Sequence, residues 1–89
     1  MQAYKIEFSE KAKEHIKKIR KNNKLLYIKL NKLIEELKEH PTTGTGKPEY
    51  LKYEKYWSRR IDKEHRLCYE IDGENVIVLV LSAFGHYED

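Results

Sequence analysis

An α+β fold of order β-α-α-β-β-β, a helical hairpin on one face of a mainly antiparallel four-stranded sheet, is predicted by three patterns. A short alternating run opens the chain, two segments with apolar residues at helical spacing follow, and three strand-like runs come last, behind a loop rich in Gly, Pro and Thr. There is no internal repeat or low-complexity segment, and residues 1–89 are read as a single domain.

In AYKIEF, residues 3–8, Tyr4, Ile6 and Phe8 alternate with Lys5 and Glu7, the period of a half-buried strand. Ser9 is a helix N-cap residue, and Glu10 in the first turn complements the helix dipole. Ala12, Ile16 and Ile19 form one apolar stripe, which KNNK at 21–24 interrupts. Leu26, Leu30, Leu33, Ile34 and Leu37 then repeat at helical spacing until His40, which precedes Pro41 and is biased out of the helical region. A short polar turn between two such segments predicts an antiparallel helical hairpin. PTTGTGKPEYLK, from Pro41, reads as a loop. EKYWSRRI and RLCYEI read as strands joined by DKEH at 62–65, and Asp72-Gly73 predicts a tight hairpin turn. The last run, NVIVLVLS at 75–82, is apolar on both faces and is expected to be a central strand.

Charged residues are 37% of the chain and mean hydropathy is −0.86, values that approach disorder but are answered by the periodic apolar residues. A domain of this size buries only roughly 60–65% of the surface its unfolded chain exposes, so its stability is modest. The lone Cys68 cannot form an internal disulfide, which fits a reducing compartment. With neither a signal-peptide pattern nor a membrane-length apolar run, the chain is read as soluble and cytoplasmic, with no membrane partner. The net charge of +3 is uneven. Residues 1–40 hold 11 Lys/Arg against 6 Asp/Glu, and residues 41–89 hold 7 against 9. The basic surplus lies on the first helix-like segment, where it is either a solvated face or a field that draws in a polyanion.

Strand alternation sorts the basic cluster in WSRRIDKEHRLCYE, residues 57–70. Ser58 and Arg60 point one way, Trp57, Arg59 and Ile61 the other. On the next strand Leu67, Tyr69 and Ile71 form the apolar set, with Arg66, Cys68 and Glu70 opposite. Arg60 and Arg66 therefore share the face the helices leave open, and Arg59, on the helix side, is expected to escape to solvent at an edge. Two neighbouring guanidiniums repel each other unless an anion lies between them. Glu70 can serve, and a phosphate serves better because guanidinium forks match its oxygens bidentately.

Other chemistry is weaker. GTGK at 44–47 lacks the first glycine of a phosphate-binding P-loop, and Pro48 stands where that loop needs a hydroxyl. Cys68 has no pattern of a nucleophile, and it reads as a packed, inert thiol. His15 and His40 read as solvated helix residues. His65, Glu49 and His86 lack metal-ligand spacing, so no metal is expected. Glu49, after the stiffening Pro48, and His86, after Gly85, instead make an acid–base pair suited to RNA transphosphorylation. Tyr4, Tyr69 and Trp57 fit the core. Tyr53, Tyr56 and Tyr87 are the candidates for stacking on a base, and for Tyr53 and Tyr56 the structural reading is the better one.

GTGKPEYL from Gly44, WSRRIDKEHRLCY from Trp57 and His86-Tyr87 together resemble the Txe/YoeB branch of the RelE-like toxins of bacterial type II toxin–antitoxin systems. The resemblance runs through nearly the whole chain and implies a RelE-like, microbial ribonuclease-type fold. It implies an endoribonuclease that cleaves mRNA in the ribosomal A site, contacts ribosomal RNA and so inhibits translation. It further implies a homodimer, no cofactor, and inhibition by a cognate YefM/Axe-like antitoxin whose disordered segment folds onto the toxin. Carried over by motif position, Glu49 is the general base, His86 the general acid and Arg66 the principal phosphate stabiliser. Arg60 and Lys52 support it, and Tyr87 stacks on or positions a substrate base. The alternative is a RelE-like module that grips RNA or antitoxin without cutting. A plain scaffold would leave the paired open-face arginines unexplained.

The sequence departs from the family pattern at Tyr50, where better-known members carry proline, in a shorter insert before Trp57, and at Glu88 and Asp89 after the HY pair. Two side-chain carboxylates and the terminal carboxylate close to His86 favour its charged form, the alternative being that they repel the mRNA phosphate. Deleting Glu88 and Asp89 is therefore expected to move the basic limb of the cleavage pH–rate profile to lower pH; an unchanged limb counts against the coupling.

Overall fold

The computed structural model describes residues 3–75 and 77–82. The chain runs β1 (Lys5–Phe8), α1 (Glu10–Asn22), α2 (Lys24–Leu37), β2 (Glu49–Leu51), β3 (Tyr56–Arg60), β4 (Arg66–Asp72) and β5 (Ile77–Ser82). The sheet order is β1-β5-β4-β3-β2, with β1 parallel to β5 and every other pair antiparallel. The α+β class, the helical pair and the interior position of β5 agree with the sequence reading. The sheet has five strands instead of four, because Glu49–Leu51, read as loop, pairs with β3 as an edge strand. Three residues are too few to show a period.

The helices form where their caps and stripes place them. Ser9 Oγ accepts from the Ala12 N–H at 3.0 Å. Asn23 alone separates the helices and serves both: its N–H donates to the Ile19 carbonyl at 2.8 Å, and its Oδ1 accepts from the Leu26 N–H at 3.1 Å. Leu26, Leu30, Leu33, Ile34 and Leu37 are all buried, together with Ala12 and Ile19 of α1, against Ile61, Leu67, Tyr69 and Val80. At roughly 1.5–3 kcal/mol per fully buried large apolar side chain, this cluster is the main favourable term of the fold. No helix among the described residues is long and apolar enough to cross a membrane.

Three further expectations are corrected. Gly73 does not make the β4–β5 turn through a left-handed conformation. Asp72 Oδ1 instead accepts the N–H groups of Glu74 and Asn75, and its Oδ2 accepts from the Asn75 side chain, in a connection longer than a two-residue turn. His15 is half-buried, and burial, then Lys11 and Lys18, lower its pKa, which Glu14 only partly opposes. His40 is exposed, as expected.

The largest correction concerns Arg59, whose side chain is 0% exposed. Alternation does point it at the helices, but it finds partners there instead of escaping. Nη1 pairs with Glu36 of α2, Nη2 donates to the carbonyls of His40 and Thr43 at 2.9 and 3.0 Å, and Nε lies 3.4 Å from the Tyr69 hydroxyl. Tyr69 in turn donates to the Pro41 carbonyl at 2.7 Å, and burial raises its pKa despite the opposing Arg59 charge. Glu36 also accepts from the N–H and hydroxyl of Thr45. Breaking a buried ion pair by removing one partner costs about 3–5 kcal/mol. Glu36 is 28% exposed and two carbonyls still hold the guanidinium, so Glu36→Gln is expected to cost about 2–3 kcal/mol in urea unfolding. Its amide exchange should accelerate first across residues 41–47.

Candidate active site

On the sheet face opposite the helices, Glu49, Ser58 and Cys68 lie side by side across β2, β3 and β4 as direct cross-strand partners. Arg66, two residues before Cys68 on β4, faces Arg60 on β3. Its side chain runs back along the sheet: Nε donates to Ser58 Oγ at 2.7 Å, and Nη2 reaches Glu49 Oε1 at 3.3 Å. The carboxylate and guanidinium that the sequence pointed to are thus brought together. The anion beside Arg66 is Glu49, on the far edge strand, and not Glu70 on Arg66's own strand.

Burial separates the two. Glu49 is 60% exposed and Arg66 only 21%. A single contact of this length at the surface contributes at most about 1 kcal/mol, so an incoming phosphate can displace it. Arg60 is exposed and makes no side-chain hydrogen bond or ion pair among the described residues; it borders a cleft of about 340 Å³ with Lys29 and Lys32 of α2. Lys52 is exposed in the turn that follows β2, where Leu51 accepts from the Lys55 N–H. His86 and Tyr87 lie outside the described residues.

The neighbouring hairpin is built by Asp62. Its Oδ1 accepts from the N–H groups of Glu64 and His65, both at 2.8 Å, and sits 2.9 Å from His65 Nδ1. Burial pushes the Asp62 pKa up, but the Glu64 N–H, the His65 ring and the His65 N–H together hold it below its ordinary value. His65 therefore has a structural partner, and no cluster of three metal-ligating side chains occurs among the described residues. Cys68 is 2% exposed, consistent with a packed thiol. Tyr50, the departure from proline, sets its ring edge-on to Trp57 with centroids 5.8 Å apart. Tyr53 is exposed and Tyr56 half-buried.

Ser58 was not singled out from the sequence. Its signal was present, since alternation puts it on Arg60's face, but a small hydroxyl beside two arginines draws no attention until its burial is known. Gly44 and Gly46, dismissed as a P-loop, place Glu49 from a distance. Both have positive φ, +107° and +86°. A Cβ on Gly46 would strike the Arg60 carbonyl, which lies where the Arg60 N–H donates to the Gly46 carbonyl at 2.7 Å. That bond ties the loop to β3 three residues before Glu49.

The same architecture occurs in solved structures. A YoeB/ParE toxin from Agrobacterium tumefaciens superposes with a TM-score of 0.87 at 33% identity, over 93% of this chain and 99% of that one. YoeB from Staphylococcus aureus, solved as a dimer and as a heterotetrameric complex with YefM, superposes with TM-scores of 0.82 and 0.80 at 37% identity, over 94% of this chain and 98% of that one. A curated Toxin YoeB from Synechocystis is 40% identical over 86 residues, covering 94% of this chain and 98% of its own. A helical pair on a mixed five-stranded sheet is thus an architecture this chain shares with YoeB toxins. The family model for the YoeB-like toxin of bacterial type II toxin–antitoxin systems matches residues 8–87, and the chain belongs to that family.

Gly46→Ala imposes both a strained φ and a backbone collision. It is expected to destabilise the protein by about 2–3 kcal/mol in chemical denaturation, more than the few tenths typical of an exposed loop substitution.

Proposed function

We propose that this toxin is a ribosome-dependent endoribonuclease that cleaves mRNA in the ribosomal A site. The observation that carries the reading is the Glu49–Arg66 pair, a carboxylate and a guanidinium in contact on an open sheet face. Glu49 takes the proton from a ribose 2′-hydroxyl, and the 2′-oxygen attacks the adjacent phosphorus. Arg66 leaves Glu49 and neutralises the charge that builds on the phosphoryl oxygens. The P–O5′ bond breaks as His86 in its charged form gives its proton to the departing 5′-oxygen, leaving a 2′,3′-cyclic phosphate and a 5′-hydroxyl. Arg60 and Lys52 hold the flanking backbone, and Tyr87 stacks on a base.

The exposure of Glu49 supports dependence on the ribosome, which supplies the orientation that the protein alone does not. The basic surplus of the first 40 residues suits contact with ribosomal RNA. A YefM-like antitoxin as inhibitor and a homodimeric state are proposed on the assemblies of the S. aureus relative.

Single-turnover cleavage of mRNA on programmed ribosomes tests the reading. Glu49→Gln and His86→Gln are each expected to slow cleavage by about 10²–10⁴-fold while ribosome binding is kept. Arg66→Lys should also be slow, because a single ammonium cannot serve Ser58 and a phosphate together. Cutting by Glu49→Gln at the wild-type rate overturns the mechanism, and binding without cutting by the wild type identifies a non-catalytic module.

A further inference from the structure

We infer that Ser58 is a positioning residue that fixes which edge of the Arg66 guanidinium meets the phosphate. The inference rests on the reading of Arg66 as the phosphate-binding group. Ser58 is 0% exposed in the middle of β3, a costly place for an unpaired hydroxyl. Its partners across the sheet are Glu49 and Cys68, so the Oγ lies on the floor between the carboxylate and the strand that carries Arg66.

A guanidinium offers two bidentate edges, a side edge made by Nε and Nη2 and an end edge made by Nη1 and Nη2. Here Ser58 takes Nε, which belongs to the side edge alone, at 2.7 Å, and Glu49 takes Nη2, which both edges share, at 3.3 Å. The two contacts differ in kind. The serine hydroxyl is buried, has a single heavy-atom torsion and is part of a paired strand. Glu49 is exposed and its contact is long. A phosphate entering the site therefore displaces Glu49 and leaves Ser58 in place. With Nε retained by the protein, the end edge is the bidentate edge left for the phosphate. The same displacement returns Glu49 to solvent beside the phosphate, where its acceptor oxygens are open to a 2′-hydroxyl. One buried hydroxyl thus sets the orientation of the arginine and separates it from the base when substrate arrives.

The test compares Ser58→Ala and Ser58→Thr with wild type, each checked for an unchanged thermal midpoint to within a few degrees. In ¹⁵N-labelled protein the Arg66 Nε–H resonance, assigned by its loss in Arg66→Lys, is expected to exchange slowly with solvent in wild type and Ser58→Thr and fast in Ser58→Ala. On programmed ribosomes Ser58→Ala is expected to cut about 10²-fold more slowly at saturation, with apparent affinity within about twofold of wild type, and Ser58→Thr to restore the rate. The assignment is overturned if a folded Ser58→Ala keeps both the slow Nε–H exchange and the wild-type rate, or if a folded Ser58→Thr restores neither. Loss of rate in Ser58→Ala with unchanged Nε–H exchange also overturns it, since Ser58 then acts by another route. Should wild type fail to cut at all, it is the nuclease reading that falls, and the Nε–H exchange alone then decides whether Ser58 holds Arg66.

Discussion

Arg59 is a full positive charge with no exposed surface in a chain of 89 residues, and the rest of the fold is arranged so that this is tolerable. Its guanidinium is met by a carboxylate from α2, two carbonyls from the segment after α2, and a hydroxyl from β4. Elements far apart in sequence are thereby held at one point, and every side-chain polar atom buried among the described residues has a partner. Buried ion pairs are seldom a net gain over apolar packing of the same volume. The value of this one lies in what it specifies. Residues 38–48 contain no regular element and little to bury, yet His40, Pro41, Thr43 and Thr45 are all bound into the same network.

Order in that segment is what reaches the open face. The chain leaves the Arg59 network at Thr45, is tied to β3 by the Gly46 carbonyl, and one proline later begins β2 at Glu49. Glycine is required at 44 and 46 because the backbone must turn tightly around Glu36 and pass against Arg60, where a Cβ has no room. The carboxylate at the edge of the sheet is therefore positioned from both sides, by a loop anchored on a buried charge and by backbone pairing with Ser58. A glycine-rich sequence that resembles half of a phosphate-binding loop serves here to hold a carboxylate.

Most of the framework was legible because its signals are local. The helical stripes, Ser9, the alternation of β1 and the doubly apolar β5 each declare themselves within a few residues. Arg59 was misread for the opposite reason. Alternation aimed it inward correctly, but nothing nearby says that a cation is welcome there, since Glu36 lies 23 residues away in sequence. The general expectation that arginines reach solvent therefore won. The third residue of the same story, Tyr69, was placed in the core as an aromatic ring, and its hydroxyl, which closes the network on Pro41, was overlooked. At the site, Glu49 and Arg66 were found through motif and face, while their contact depends on a three-residue edge strand that no periodicity could reveal. Ser58 needed a burial value, which a sequence does not carry. His86 and Tyr87 lie outside the described residues, so their roles rest on the sequence reading and the resemblance.

Arg59 and Arg60 are consecutive, chemically identical and opposite in role, and the pleat of β3 is what divides them. The inward one is buried among partners it cannot leave, whereas the Arg60 side chain has none among the described residues and Arg66 has one firm contact and one weak one. The nuclease reading proposed above requires this graded arrangement. A guanidinium as fully buried as Arg59 is out of reach of a phosphate, and one as unconstrained as Arg60 must give up considerable side-chain freedom to bind it. Arg66 lies between these limits: held at Nε by a buried hydroxyl, lightly engaged at Nη2 by an exposed carboxylate, and carrying the donors that remain. The same sheet thus uses one arginine to hold its architecture and presents another, two strands from its edge carboxylate, in a state prepared to exchange one anion for another.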